Sequence, residues 1–173
     1  ITGVGGGVGQ SILKSLANTD YNLVALDGES LGAGLYVTNK SYLIPYVKDP
    51  NYINRLLEIC EKEKIDLLFP GLDAELMPLS LHREAFKAIG TTVVVSDPRV
   101  ITISNNKQET YNQLVKAGVN LPHTYNALNF SPKLEDFPLI LKPKLDGARS
   151  KNVFVLKNVN EWVKKKKKMG DAI

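Results

Sequence analysis

Ile1-Thr2-Gly3-Val4-Gly5-Gly6-Gly7-Val8-Gly9-Gln10 opens the chain, and five of its first nine residues are glycine. Glycine lets the backbone turn sharply and lets a ligand approach the bare main chain. The stretch runs directly into Val8, Ile12, Leu13, Leu16 and Ala17, which recur at helical spacing. A helix starting there offers free N–H groups and a positive dipole end, which suits an anion. The pattern predicts a ligand-facing strand–loop–helix corner. Only the last residue or two of its strand precede the loop, so the chain reads as a trimmed fragment of a longer protein.

Two readings of this corner stand side by side. Thr2-Gly3-x-x-x-Gly7-x-Gly9 fits the glycine pattern of short-chain dehydrogenases. Asp27 closes the next apolar run, Leu23-Val24-Ala25-Leu26, close to where a Rossmann unit places its ribose-binding acid. The same glycines also serve as a tight strand-to-helix turn in any α/β domain.

The 173 residues suffice for one domain and part of another, and a hydrophobic fraction of 43% supports a core. No apolar run approaches the roughly 18 residues of a membrane span. Cys60 is the only cysteine, which excludes an internal disulfide and a cysteine-based zinc site. It shares a helical face with Ile53, Leu56 and Leu57, so its expected role is a small core side chain in a cytoplasmic protein. The net charge of +4 owes its sign to Lys164–Lys168. Without that run the basic residues do not outnumber the acidic ones, so the body is not a nucleic-acid surface. The run is expected to be the solvated part of a helix following Glu161-Trp162-Val163.

Strand and helix patterns alternate along the first hundred residues. Leu23–Leu26 reads as a strand, and Tyr52 to Cys60 as a helix. Ile65–Phe69 is a short buried strand stopped by Pro70-Gly71. Glu75–Ile89 reads mostly as helix with Gly90 beyond its end, and Thr91–Val95 is strongly β. This order predicts a Rossmann-like parallel sheet with helices on both faces, spanning residues 1–98. A different texture follows in 99–173. A helix from about Lys107 to Lys116 is expected to turn Tyr111, Leu114 and Val115 inward and to stop at Gly118. Leu139-Ile140-Leu141-Lys142-Pro143 and Asn152–Leu156 then read as a β-hairpin around a polar loop. Lys142 ends an otherwise apolar strand, which is costly unless its head group reaches water or an anion.

Four segments together resemble an ATP-grasp ligase, closest in texture to the large subunit of carbamoyl-phosphate synthase. They are the opening Gly3–Gly9 loop, Asp66–Leu76 with its Pro70-Gly71-Leu72-Asp73-Ala74-Glu75 segment, Asn106-Lys107-Gln108-Glu109-Thr110, and Leu141-Lys142-Pro143 with Asp146-Gly147-x-x-Ser150-x-x-Val153. They occur in family order across nearly the whole chain. Three positions depart from the pattern. Asn106 stands where the family has Asp, and Arg149 and Asn152 stand where the lid has its second and third glycines. Asn tolerates positive φ and preserves a turn more readily than Arg does.

The resemblance implies a pre-ATP-grasp domain followed by the N-terminal part of an α+β ATP-grasp lobe. It implies ATP-dependent joining of a carboxylate to an amine through an acyl phosphate, chemistry that rests on positioning and charge neutralisation. Lys107 and Lys142 would meet ATP phosphates, and Gly147, Ala148 and Ser150 would form the lid. Gly5, Gly6, Gly7 and Glu75 would face a small carboxylate or bicarbonate-like acceptor. Mg²⁺ would be held by carboxylates downstream of Ile173, so this segment alone is expected to be inactive and supplies no metal ligand. No nucleic-acid or membrane partner is implied, while a homo-oligomer or a separate subunit stays open. Glu75 also suits a first-turn helix acid. A nicotinamide-dependent oxidoreductase and a non-catalytic module that kept the fold remain as alternatives.

Overall fold

Ile1–Val4 run between two parallel strand pairs. The computed structural model describes residues 1–145 and 151–169. In it β1 (Val24–Asp27) pairs in parallel with β2 (Lys40–Leu43), and β3 (Leu67–Leu68) pairs in parallel with β4 (Thr92–Val93). The opening residues bridge the two pairs. Leu26 N–H donates to Ile1 O at 2.8 Å, Val4 N–H to Leu26 O at 3.4 Å, and Thr2 N–H to Phe69 O at 3.0 Å. The spatial order is therefore β2, β1, residues 1–4, β3, β4. That is the doubly wound arrangement, with its topological switch point between residues 1–4 and β3. The expected α/β class is what forms.

Strand β1 is buried at all four positions, as a parallel strand covered on both faces must be. Val24 and Leu26 join one core with Tyr52, Leu56, Ile59 and Cys60 of α2 (Tyr52–Glu63), Leu79 of α3 (Asp73–Leu81) and Phe86 of α4 (Arg83–Ala88). Ala25 joins the other core with Val4, Leu13 of α1 (Gly7–Leu16) and Leu35 of a short 3₁₀ turn.

Two features of this unit differ from the expectation. Strand β2 is not anticipated, because an edge strand needs no buried face and its Lys40, Ser41 and Leu43 are exposed. The helix expected over Glu75–Ile89 is two helices that meet at His82. Pro78 supplies no N–H inside α3, and its carbonyl accepts the His82 N–H at 3.2 Å and contacts His82 Nδ1 at 2.8 Å. Gly90 takes φ +86 just past α4, the left-handed turn that a helix end favours.

The chain divides into two compact units, Ile1–Ile101 and Thr102–Ile173. The passage between them falls within α5 (Pro98–Asn105), which Asp97 begins by accepting the Arg99 N–H at 2.9 Å. The second unit holds α6 (Lys107–Lys116), the antiparallel hairpin of β5 (Leu139–Leu141) and β6 (Phe154–Leu156), and α7 (Val159–Met169). Its core gathers Ala127, Leu141, Leu156 and Trp162, with Phe130 and Phe154 against them. Helix α6 forms where expected but its apolar residues do not turn inward. Leu114 is 37% exposed and Val115 49%, because none of the α6 side chains is buried against this core. The lysine run is helical, as expected. Lys165 Nζ lies 4.1 Å from the centre of the Phe154 ring and Lys166 Nζ 5.4 Å from that of Trp162, so their stems cover aromatic surface.

Candidate functional site

The first candidate site lies at the carboxyl ends of the strands. Gly3 turns the chain with φ +60, and Gly5 and Gly7 are exposed at the start of α1. The loop is held by its own protein. Gly5 N–H donates to Asp27 Oδ2 at 2.6 Å, and Glu29 N–H donates to Asp27 Oδ1 at 2.8 Å. Asp27 is thus occupied with backbone amides rather than poised for a ribose. The segment after β1 also packs directly on the loop. A Cβ on Gly34 would lie 2.3 Å from Val4 O, and one on Gly32 would lie 3.3 Å from Gly5 Cα.

Glu75, expected either to face an acceptor or to serve as a first-turn helix acid, is 1% exposed. It is the third residue of α3, and its Oε2 reaches back to the Leu72 N–H at 3.2 Å, the acid half of a capping box. The same oxygen accepts the Thr2 hydroxyl at 2.6 Å and the Gly71 N–H at 3.2 Å, while Oε1 accepts the Tyr52 hydroxyl at 2.8 Å. Burial and the nearby carboxylate push the Tyr52 hydroxyl pKa far up, so Tyr52 remains a donor. Gly5, Gly6 and Gly7 stay at the surface, and Glu75 lies beneath them. Thr2 and Tyr52 carried no sequence signal, since nothing in their local pattern announces a partner 73 or 23 residues away.

A recess of about 1220 Å³ opens elsewhere in this unit, at the amino ends of the strands among Leu13, Val24, Lys40, Ile65 and Leu67. Ile1 and Gln10, at the two ends of the opening stretch, are among its lining residues. Ligands of open parallel sheets bind outside the carboxyl ends, so the loop and not the recess is the candidate.

The second candidate site lies on the hairpin. Lys107 begins α6 after Asn106, whose side chain caps the helix by accepting the Gln108 N–H at 3.1 Å and the Glu109 N–H at 3.2 Å. Asn in place of the family's Asp therefore preserves the cap. Lys107 N–H donates to Lys144 O at 3.0 Å, and Asn106 bridges to Leu145. This ties Lys107 to the segment that follows Lys142. Ile140 opposes Val155 across the hairpin, 67% and 63% exposed, and Lys142 and Val153 follow on the same face. The result is an apolar platform ending in exposed Lys142. The sequence singled out Lys142 but not Ile140, Val153 or Val155. Their signal was a strand with no polar position, which implies cover on both faces. Asn152 takes φ +59, the left-handed conformation that its side chain tolerates. Gly147, Ala148 and Ser150 lie outside the described residues.

Residues 3–94 match a family described as PylC-like, N-terminal domain. That is more than half of the chain. The chain belongs to the PylC-like family. No curated protein matches the sequence. Among solved structures, this PylC-like chain is similar to the biotin carboxylase domain of Hydrogenobacter thermophilus 2-oxoglutarate carboxylase, solved with MgADP, ADP and bicarbonate. The TM-score is 0.59 and the identity 17%, over 91% of this chain and 37% of the other. It is also similar to the biotin carboxylase subunit of pyruvate carboxylase, with a TM-score of 0.51, 20% identity, and 91% and 37% coverage. A single-chain, multi-domain long-chain acyl-CoA carboxylase gives 0.52, 21%, and 69% and 13%. At these identities the likeness is one of fold. The chain spans little more than a third of the first of these neighbours.

The family match lies wholly within the first unit and includes the glycine loop, Asp27 and Glu75. It places this sheet in the N-terminal domain of the PylC-like family. It does not single out carbamoyl-phosphate synthase. Among the described residues of this PylC-like chain, no group of three His, Cys, Asp or Glu side chains could hold a metal ion. Among the same residues, no helix is long and apolar enough to cross a membrane.

Proposed function

We propose that this chain is part of an ATP-dependent carboxylate–amine ligase of the ATP-grasp type. Residues 1–98 would be its preceding domain and 99–173 the first part of its nucleotide-binding lobe. The observation that carries the reading is the hairpin face of Ile140, Val153 and Val155 ending in Lys142, with Lys107 tied alongside through Lys144. An apolar platform next to cationic side chains suits a purine base with phosphates beside it. When bound, ATP supplies the phosphoryl group that activates a carboxylate as an acyl phosphate. Lys142 and Lys107 would neutralise phosphate charge, and Ile140 and Val155 would exclude water from one side of the base.

The structural neighbour solved with MgADP and bicarbonate supports a nucleotide and a small carboxylate-like acceptor. The same structure is a dimer, which supports a homo-oligomer as the assembly to test first. Mg²⁺ ligands are assigned to the remainder of a complete enzyme. The narrower likeness to carbamoyl-phosphate synthase rests on the four sequence segments alone.

Titration calorimetry on the full-length protein tests the reading. Mg·ATP should bind in preference to NADH, and Lys142→Ala should weaken it by about tenfold or more, as loss of a charge-assisted phosphate contact does. Tight NADH binding with no response to Mg·ATP would overturn it in favour of an oxidoreductase.

A further inference from the structure

Thr2, Tyr52, Gly71 and Leu72 come from the central strand, α2 and the β3–α3 turn, and all four donate to one carboxylate. That carboxylate, Glu75, is buried, and its four hydrogen-bond donors are two hydroxyls and two backbone amides. Thr2 immediately precedes Gly3, where the loop turns. Gly71 and Leu72 form the other wall of the switch point. The two walls also touch directly. A Cβ on Gly3 would lie 2.7 Å from Leu72 Cγ, and one on Gly71 would lie 2.1 Å from Thr2 O. A buried carboxyl group is an expensive way to fill a core, since apolar side chains would fill the volume more cheaply. It gives something that packing does not: fixed directions. Four donors aimed at two oxygens set the distance and angle between two loops that no strand ladder joins beyond Phe69.

We propose that Glu75 is a positioning residue, a clamp across the sheet's switch point that holds the Gly3–Gly7 loop and the Gly71-Leu72 turn at the separation an acceptor ligand requires. Glu75 acts from below and touches no ligand. The clamp stands on geometry alone. Only the identity of the crevice's ligand rests on the ligase reading.

Hydrogen exchange of the 173-residue chain, without ligand, tests the clamp. Tyr52→Phe removes one donor with little change of volume. Thr2→Val removes another, and Thr2→Ser restores it. Tyr52→Phe and Thr2→Val should each speed exchange of the amides at Thr2, Gly5, Gly6, Gly71 and Leu72 by roughly tenfold or more. Amides of β2 and of the second unit should hold their rates, and Thr2→Ser should return the loop to wild-type protection. Leu56→Ala serves as a packing control that loosens the whole first unit. Unchanged exchange in Tyr52→Phe and Thr2→Val, or an effect as general as that of Leu56→Ala, would overturn the clamp. Mg·ATP calorimetry on the full-length protein keeps the two ideas apart. If the full-length protein fails to bind Mg·ATP while the local exchange pattern appears, the ligase reading is lost and the clamp is kept.

Discussion

Gly9 and Gly7 lie two residues apart in the opening loop and meet different surroundings. A Cβ on Gly9 would lie 2.5 Å from Gly3 O and 2.8 Å from Val4 Cα, both backbone atoms that cannot swing aside. A Cβ on Gly7 would meet nothing within 4 Å. Gly9→Ala should therefore cost about 1–3 kcal/mol, the usual range for overpacking. Gly7→Ala should be neutral or stabilise by up to about 1 kcal/mol, since alanine is the better helix former. Urea unfolding of the two variants separates a glycine needed for close approach from one that is merely in the run. The sequence could not rank them, because it shows five glycines and no neighbours. Asn152 is the reverse case. Its tolerance of positive φ was legible from its side chain alone, and the backbone takes that conformation.

At the scale of elements, α6 shows how a departure from a motif can leave the physics intact. Asn106 caps the helix through two backbone amides, as an Asp would. Asn106→Ala should lower the stability of the second unit by about 1 kcal/mol, within the 0.5–2 kcal/mol that lost caps typically cost, in a denaturant titration followed by helicity. Asn106→Asp should match or slightly exceed the wild type, because a negative charge favours a helix N-terminus. No loss in Asn106→Ala would mean that the cap contributes nothing. The same helix shows where periodicity stops informing. Tyr111, Leu114 and Val115 have the spacing of a buried face, but spacing names a face and not the surface that covers it. Pro78 lies inside α3, where it supplies no N–H to the carbonyl four residues earlier, and the helix ends one turn later at His82.

Across the first unit, the main core carries two groups that resist ionisation. Burial pushes the Cys60 thiol up to about 11 from 9.0, against smaller opposing effects from the Thr91 hydroxyl and the chain's first amine. Burial and Glu75 push the Tyr52 hydroxyl in the same direction. Both groups keep their protons longer in the folded state than in the unfolded chain. The folded chain therefore binds more protons at alkaline pH, and stability falls as pH rises. The Cys60 contribution is complete below pH 9.0 and disappears between there and about 11. Denaturant midpoints should fall from pH 8 to pH 10.5, and Cys60→Ala should flatten part of that slope. Iodoacetamide should label native Cys60 slowly at pH 8 and unfolded chain quickly, because the buried thiol supplies little thiolate.

The sequence by itself determined the alternation of strands and helices, the helix ends at Gly90 and Gly118, the core role of Cys60 and the helical lysine run. Each of these is written within a few neighbouring residues, as a period, a breaker or a side chain's own preference. Lys142 belongs with them, since a charge that ends an apolar strand is visible locally. Tertiary structure alone decided the order of the sheet, the edge strand Lys40–Leu43, the ties between Asp27 and Gly5, and the burial of Glu75. These depend on partners tens of residues apart. A carboxylate three residues into a helix reads the same whether it faces a ligand or the underside of the loop that holds one. Only the donors that converge on it, Thr2, Tyr52, Gly71 and Leu72, tell the two apart.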